Sequence, residues 1–196
     1  MTRAAIIEAA LTVVRAEGIE ALTMRRLAAD LRTAPMTVYR HVADRQEILV
    51  AMLDTIAAGI ELPPAADKPD SEIAAVFTAI HGALRADIWV VNLIVVDKLA
   101  SAHILPAVER IYAAMRTAGL SAAETAAGYA LLWQYTVGEL LDSAGSRASD
   151  YRRRMVRESD RRRFPILHDV LTETPDERPD ERYTANLRRI VDGLLR

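Results

Sequence analysis

The helical spacing of its apolar residues is the feature that most limits how this 196-residue chain can fold. From residue 3 to residue 16 apolar side chains recur every three or four positions, and the same spacing returns in most later segments. Only residues 88–96, a run rich in β-branched side chains, are ambiguous between strand and helix. Aromatic residues make up 5% of the chain, which also favours helix packing over a β-sandwich. The sequence therefore predicts an all-α protein.

Prolines and polar residues at positions 63–69 interrupt the helical pattern and predict a domain boundary. The first domain, residues 1–59, would hold three short helices and a fourth, connecting helix. The second domain, residues 60–196, would hold helices at about 71–86, 88–100, 105–118, 121–143, 150–163 and 180–195, with a shorter one after Pro165. The clearest helix start is the capping box Ser121-Ala-Ala-Glu124. The helix that it opens is apolar nearly all round, so we expect it to be buried.

Composition argues against several classes of protein. The chain has no cysteine, which excludes disulfides, thiol catalysis and Cys-based zinc sites. Its four histidines do not form an HExxH pair, and no P-loop, dinucleotide-binding turn or Gly-x-Ser-x-Gly elbow is present. We therefore expect no enzyme, no metal and no cofactor. An all-α enzyme with a site assembled from distant residues, or a small-molecule carrier, stays as the less favoured alternative.

No segment has the length of a membrane span. The longest apolar run, residues 88–96, is interrupted at Asn92 and falls far short of the roughly 20 residues required. The N-terminus has the pattern of an amphipathic helix that contains acids, unlike a signal peptide. We expect a soluble, cytoplasmic protein without a membrane partner.

Residues 24–42 have the pattern of a helix-turn-helix unit. Such a unit needs a small residue where the helices cross, a tight turn and an apolar anchor on the second helix. Ala28, Arg32 and Val38 occupy those three positions. The polar and aromatic residues between and after the anchors are then free to face outward, where they suit contact with phosphates and base edges.

The N-terminal region contains the stretches Leu22-Thr-Met-Arg-Arg-Leu-Ala-Ala-Asp-Leu31, Thr37-Val-Tyr-Arg-His-Val42 and Asp44-Arg-Gln-Glu-Ile-Leu49. As a set they closely resemble the DNA-binding domain of the tetracycline-repressor (TetR) family, over about residues 3–56. The resemblance implies a homodimer that binds a double-stranded DNA operator. In that arrangement the paired third helices enter successive major grooves of a pseudo-palindromic site.

The same resemblance implies roles by position. Arg25 would contact DNA from the second helix, and Thr23 would cap that helix beside a phosphate. Tyr39 and His41 would hold the DNA backbone, and Arg45 would pair with a phosphate. The residues implied to meet base edges are Pro35, Met36, Thr37 and Arg40.

Three residues depart from the family pattern. Arg32 stands where the family usually has glycine, and a non-glycine residue in a left-handed turn costs on the order of 1–2 kcal/mol. Ala34 replaces the usual Ser or Thr cap, so the third helix should start less firmly. Met36 occupies a base-facing position, which indicates an operator different from the commonest ones.

Two long helices of the second domain, 121–143 and 180–195, are predicted to form the homodimer bundle, because each has more apolar surface than its own chain would cover. The segments 129–138 and 164–167 also resemble, more weakly, the C-terminal domain of the tetracycline-repressor type. The seven arginines in 152–163 are interpreted as a solvated helix face, with a second nucleic-acid contact as the alternative.

A small-molecule site is predicted from polar residues set into apolar helices. The candidates are His81, Asn92, His103, Tyr112, Trp133 and Gln134, with Trp89 as an apolar wall. Asn92 is the sharpest, because a buried amide must find a partner that a ligand could supply. Each candidate has the alternative of a polar residue satisfied within the protein. The sequence thus favours a ligand-responsive repressor, with a ligand-independent DNA-binding dimer as the alternative; it does not distinguish repression from activation.

Overall fold

The computed structural model describes residues 1–143, 151, 154–173 and 179–196, and within these ranges the chain contains helices and no strand. The all-α prediction is confirmed. The helices are α1 (Arg3–Glu17), α2 (Met24–Asp30), α3 (Pro35–Tyr39), α4 (Arg45–Ala58), α5 (Pro69–Ala86), α6 (Trp89–Val95), α7 (Leu105–Thr117), α8 (Ala122–Ser143), α9 (Pro165–Glu173) and α10 (Pro179–Leu194). Short 3₁₀ turns at Ile19–Ala21 and Ala102–Ile104 were not predicted.

Helix ends follow the local signals in the sequence. Gly18 ends α1 with a φ of 88°, a value that favours glycine, and its N–H donates to the carbonyl of Val14. At the start of α8 the N–H of Glu124 donates to Ser121 Oγ at 3.2 Å, and Glu124 Oε2 accepts from the N–H of Ser121 at 2.7 Å. The predicted capping box is confirmed.

Contacts within the chain divide it into two units, residues 1–64 with 79–110, and residues 65–78 with 111–196. Helix α5 contributes to both units. The predicted boundary between the two functional domains at residue 60 stays a prediction. The contacts within the chain group residues 79–110 with the N-terminal helices. The core of the first unit accordingly includes Leu93 of α6 beside buried residues of α1 to α4, among them Ile6, Leu27, Val38, Ile48 and Met52.

Hydrogen bonds and aromatic packing organise the core of the second unit around Tyr183, a buried residue of α10. Its hydroxyl lies 3.0 Å from that of Thr136 and also donates to the carbonyl of Phe77 at 3.3 Å. The ring stacks on Tyr135 with centroids 5.5 Å apart. Burial raises the pKa of the Tyr183 hydroxyl, so this group stays protonated.

Three segments differ from the sequence prediction. Residues 88–96 are helical, but α6 ends at Val95 rather than near residue 100, because the backbone turns at Lys98 (φ 56°) and Leu99 donates to the carbonyl of Leu93. Helix α8 is buried on one face only, since Leu131 and Leu141 are 46% and 45% exposed. The arginine-rich helix predicted over 150–163 ends earlier, since 154–157 are helical and 158–163 are not; residues 150 and 152–153 lie outside the described residues. The described arginines at 154, 157 and 161–163 are exposed.

Candidate DNA-binding surface

Two buried residues hold α3 against α2: Ala28 on α2 and Val38 on α3. Between them Arg32 adopts a φ of 50°. The N–H of Arg32 donates to Ala29 at 3.0 Å and the N–H of Thr33 donates to Ala28 at 2.9 Å. These two bonds close the end of α2 as a Schellman motif. The predicted small residue, left-handed turn and apolar anchor are all present.

The outward side of α3 lies opposite its buried anchor. Because successive helical residues are rotated by about 100°, Met36 and Arg40 lie on the side of the helix away from Val38. Met36 is 73% exposed and Tyr39 is 45% exposed. Of the predicted DNA contacts, Thr37 is half-buried and the exposed ones are Thr23, Arg25, Pro35, Met36, Tyr39, Arg40, His41 and Arg45. The surface is therefore accessible, and contact with DNA stays a prediction.

The two helices of the unit start differently. Thr23 caps α2, since its hydroxyl accepts the N–H of Arg26 at 3.1 Å. Ala34 gives α3 no side-chain hydrogen bond, and only Pro35 at the first helical position supports that start. Both the cap at Thr23 and the weaker start at Ala34 agree with the sequence analysis.

Arg45 has a structural role that the sequence did not indicate. Its guanidinium donates from Nε to the carbonyl of Leu22 at 3.0 Å and from a terminal nitrogen to the carbonyl of Ile19 at 2.9 Å. Arg45 thus ties the start of α4 to the turn before α2. The same start is capped by Asp44, which accepts the N–H of Glu47 at 2.8 Å. The spacing Asp44-x-x-Glu47 was the available sequence signal for this cap.

Some arginines of the first unit are paired with acidic side chains, and others are not. Arg26 is bound by Glu17 at 2.6 Å and by Asp30 at 2.9 Å. These partners raise the pKa of Arg26, and Arg26 lowers the pKa of Glu17. Among the described residues, no acidic partner is found for three exposed cations of the helix-turn-helix unit, namely Arg25, Arg32 and Arg40. Because paired cations add little to the field, the positive potential is concentrated there.

A buried carboxylate joins α1 to the segment between α5 and α6. Arg15 Nε and a terminal nitrogen donate to the two oxygens of Asp87 at 2.8 and 2.7 Å. Trp89 Nε1 donates to the same carboxylate at 3.1 Å. The hydrogen bonds from Arg15 hold the pKa of Asp87 below its usual value, although burial opposes them. The pairing fixes the end of α1 relative to the start of α6.

A second polar contact joins α4 to the segment after α6. Ser101, which is buried, donates from its hydroxyl to Asp54 at 2.6 Å. The same hydroxyl accepts the N–H of His103 at 3.2 Å. Hence both α1 and α4 are bound within the first unit to residues that follow α5.

The four ligand candidates of the first unit have different environments. His81 is buried and Trp89 is half-buried, with its indole N–H on Asp87. Asn92 and His103 are exposed. The expectation that Asn92 is a buried amide was wrong, because α6 turns Val90, Val91 and Leu93 inward instead. The sequence could not choose between these faces, since residues 88–96 are apolar on both sides of Asn92.

The other three candidates belong to the second unit. Tyr112 packs edge-on against Tyr129 with centroids 5.4 Å apart, and Tyr129 lies 5.9 Å from Phe77. Burial raises the pKa of Tyr129. Trp133 is half-buried and Gln134 is exposed. Their contact with a ligand stays a prediction, and Phe77 and Tyr129 join Tyr112 in an aromatic cluster that polarity alone did not indicate.

In the part of the chain that the structure describes, no group of three or more His, Asp or Glu side chains has the arrangement of a metal site. No single described helix is both long and apolar enough to cross a membrane. The pair Pro69–Ala86 and Trp89–Val95 meets the length and composition criteria only together, and it is bent by 113°.

Relatives with established names share this architecture. The chain is 28% identical to the HTH-type transcriptional repressor DrrR1 of Streptomyces coeruleorubidus over 96% of its own length and 75% of that protein. Its fold matches the crystal structure of the Streptomyces coelicolor TetR family protein ActR in complex with (S)-DNPA, with a TM-score of 0.81 and 26% identity over 100% of this chain and 97% of that one. ActR in complex with actinorhodin gives a TM-score of 0.81 and 25% identity over 100% and 95% of the two chains.

Two family models match the chain in the order expected for such a regulator. The model described as bacterial regulatory proteins, tetR family, matches residues 6–52, which include the helix-turn-helix unit. The model described as tetracyclin repressor-like, C-terminal domain, matches residues 70–196, which is more than half of the chain. The chain therefore belongs to the tetracycline-repressor family, whose members are transcription regulators rather than enzymes.

Proposed function

We propose that this protein is a ligand-responsive transcriptional repressor that binds a pseudo-palindromic operator as a homodimer. The observation that carries DNA binding is the outward side of the helix-turn-helix unit. In this unit three exposed arginines have no acidic partner among the described residues, and Met36 and Tyr39 are exposed as well. Such cations neutralise phosphates, and side chains on an outward helix face meet base edges in the major groove.

Exposed apolar residues on α8 support the homodimer. Leu131 and Leu141 are nearly half exposed, and Ile190 of α10 is half-buried, although each lies on a helix whose other face is in the core of the second unit. A twofold dimer brings the same patch of both protomers together. The exposed apolar side chains of α8 and α10 in one protomer would then be covered by the same side chains of its partner. The predicted interface through 121–143 and 180–195 is part of this proposal.

The two complexes of ActR support a small-molecule effector, because they show ligands bound to a protein of the same fold at 25–26% identity. Among the predicted ligand contacts, His81 and Trp89 keep a buried or half-buried environment within the first unit, and Tyr112 and Trp133 are half-buried within the second. Such residues suit an aromatic or largely apolar ligand with a few hydrogen-bonding groups. Asn92, His103 and Gln134 are exposed, so they are not proposed to line a buried ligand site.

Repression would be relieved through α5 and α6. Helix α5 runs from the second unit into the first, where the residues after it bind α1 through Asp87 and α4 through Ser101. A ligand that favours a shifted α5 would therefore move the helices that carry the helix-turn-helix unit. Because the two half-sites are bound together, a small misfit in their spacing would lower affinity strongly.

The test is selection of duplexes from a randomised library by the purified protein, with the mass of the complex measured by sedimentation. We expect a dimer that enriches a palindromic sequence. Tyr39→Ala with Arg40→Ala should weaken binding of that duplex about tenfold or more. Tyr151→Ala with Arg154→Ala, two exposed residues of the same types in the second unit, should leave binding unchanged.

Effector response is tested on the selected duplex with actinorhodin and (S)-DNPA as first probes. Release of DNA by either probe would support the ligand-responsive function. Palindrome binding that no effector relieves would favour the ligand-independent dimer. A monomer, or a dimer that enriches no sequence at any salt concentration, would contradict the proposed function.

A further inference from the structure

The side chain of Met36 is 73% exposed, and no large hydrophobic side chain among the described residues is more exposed. Leaving a methionine in water forgoes the stabilisation that burial of its apolar side chain would give. The fold does not need an apolar residue there, because the buried side chain of Val38 already anchors α3. The exposed thioether is therefore available for a partner on the outward side of the unit.

Met36 shares the outward face of α3 with one cation. Arg40 follows it by four positions, and the backbone of Arg40 is still helical, so the two side chains lie one turn apart. Side chains at this spacing have Cβ atoms about 6 Å apart. Since base pairs in DNA are stacked about 3.4 Å apart, the two residues would reach base pairs one or two steps from each other.

The major groove offers a distinct partner to each of these side chains. The apolar group that base pairs present there is the 5-methyl of thymine, whereas guanine presents two acceptors, O6 and N7, that arginine binds with both nitrogens. An unbranched, polarisable thioether adapts its shape to a methyl group and offers no strong hydrogen bond to any base.

We propose that Met36 selects thymine in each half-site through the 5-methyl group, while Arg40 selects a guanine within about two base pairs of it. This inference rests on the proposed DNA-binding function and adds the sequence preference of the recognition helix. The two residues form one face, so the thymine and the guanine belong to the same half-site and occur twice in a palindromic operator.

The experiment uses the full-length protein and the duplex selected from unmethylated synthetic DNA, in which thymine is the source of 5-methyl groups. Each thymine is replaced in turn by uracil, which removes one methyl and keeps the base pair. We expect affinity to fall about fourfold at one position of each half-site, the effect of one buried methyl-sized group. Replacing the nearby guanine by 7-deazaguanine should weaken wild-type binding and leave Arg40→Ala unaffected.

Met36→Ala should bind the thymine and uracil duplexes equally, and Met36→Gln, of similar length but with a polar end, should do the same. The matched control is Ile166→Ala, which removes a side chain of similar exposure, 72%, from α9 and should retain the uracil effect. Helicity and dimer mass report whether each variant folds. A uracil effect that persists in both Met36 variants, or no uracil effect in the wild type, would overturn the inference. Failure to enrich any duplex would instead overturn the proposed function.

Discussion

Two connections between consecutive helices share the same pair of closing backbone hydrogen bonds and differ in their side chains. The end of α2 and the end of α7 both close as Schellman motifs, with left-handed residues Arg32 and Gly119. After Gly119 the chain enters α8 through the capping box of Ser121 and Glu124. After Arg32 it enters α3 at Ala34, which provides no side-chain cap.

The second-unit connection therefore uses the residues that stabilise a turn best, and the helix-turn-helix connection does not. A non-glycine residue in the left-handed region costs on the order of 1–2 kcal/mol, and a missing cap about 1 kcal/mol. What the first connection gains is an exposed guanidinium at Arg32 and a short, outward-facing helix. This difference is expected if local stability is given up at the surface that we propose to bind DNA.

The largest expected effect concerns the residue whose carbonyl accepts the bond that spans six residues in each motif, Ala28 in the first connection and Met115 in the second. Met115 is buried, and its side chain lies against Gly128. The sulfur and terminal methyl of Met115 are 3.6 Å from the position that a Cβ on Gly128 would occupy. Met115→Ala should lower the free energy of unfolding by about 2–5 kcal/mol, because it leaves a cavity. Urea denaturation measures this change. An effect below about 1 kcal/mol would show that the two connections tolerate small residues equally.

Much of this comparison could be predicted from local sequence. The spacing of Ala28, Arg32 and Val38 and the box at Ser121 indicated both connections, because helix ends depend on residues within one or two turns. The contacts of Arg45 with backbone carbonyls could not be predicted in this way. The pairing of Arg15 with Asp87 joins positions 72 residues apart, which no local pattern indicates.

The burial of Asn92 was predicted wrongly for a related reason. Helix α6 is short and apolar on more than one side, so hydrophobic periodicity does not determine which face meets the core. The face was decided by tertiary packing of Leu93 with the N-terminal helices. The burial of a ligand candidate chosen by polarity within an apolar helix therefore depends on tertiary packing, which local sequence does not give.

Exchanging the residue types of the two turns tests the comparison directly. Gly119→Arg should lower the free energy of unfolding by about 1–2 kcal/mol, because the strain at a φ of 97° outweighs the freedom that the unfolded chain loses. No atom lies within 4 Å of a Cβ built at this position, so steric overlap does not contribute. Binding of the selected duplex by the folded protein should not change. A loss of DNA affinity with unchanged stability would contradict the assignment of this turn to structure.

The reverse exchange should have a smaller effect on stability and a visible one on binding. Arg32→Gly relieves the left-handed strain but adds freedom to the unfolded chain, so we expect a net gain of about 0.5–1 kcal/mol. If Arg32 pairs with a phosphate, the slope of log affinity against log salt should become shallower by about one for each half-site. Arg116→Ala, which removes an exposed arginine near the other turn, is the control for net charge. An unchanged salt slope would remove Arg32 from the DNA-binding surface.

The smallest effect concerns the pH dependence of the two helix starts. Hydrogen bonds from the side chain and backbone of Ser121 hold the pKa of Glu124 below its ordinary value of 4.5. The carboxylate therefore stabilises the fold fully above pH 4.5, and this contribution is lost as the pH falls through the lowered pKa. Glu124→Gln should be less stable than the wild type near neutral pH, and the difference should shrink in acid. Ala34→Ser adds a cap that does not ionise, so its stabilisation should be constant over the same range. Thermal unfolding between pH 3 and pH 7 would measure both, and a pH-independent gap for Glu124→Gln would show that its charge does not contribute to the cap.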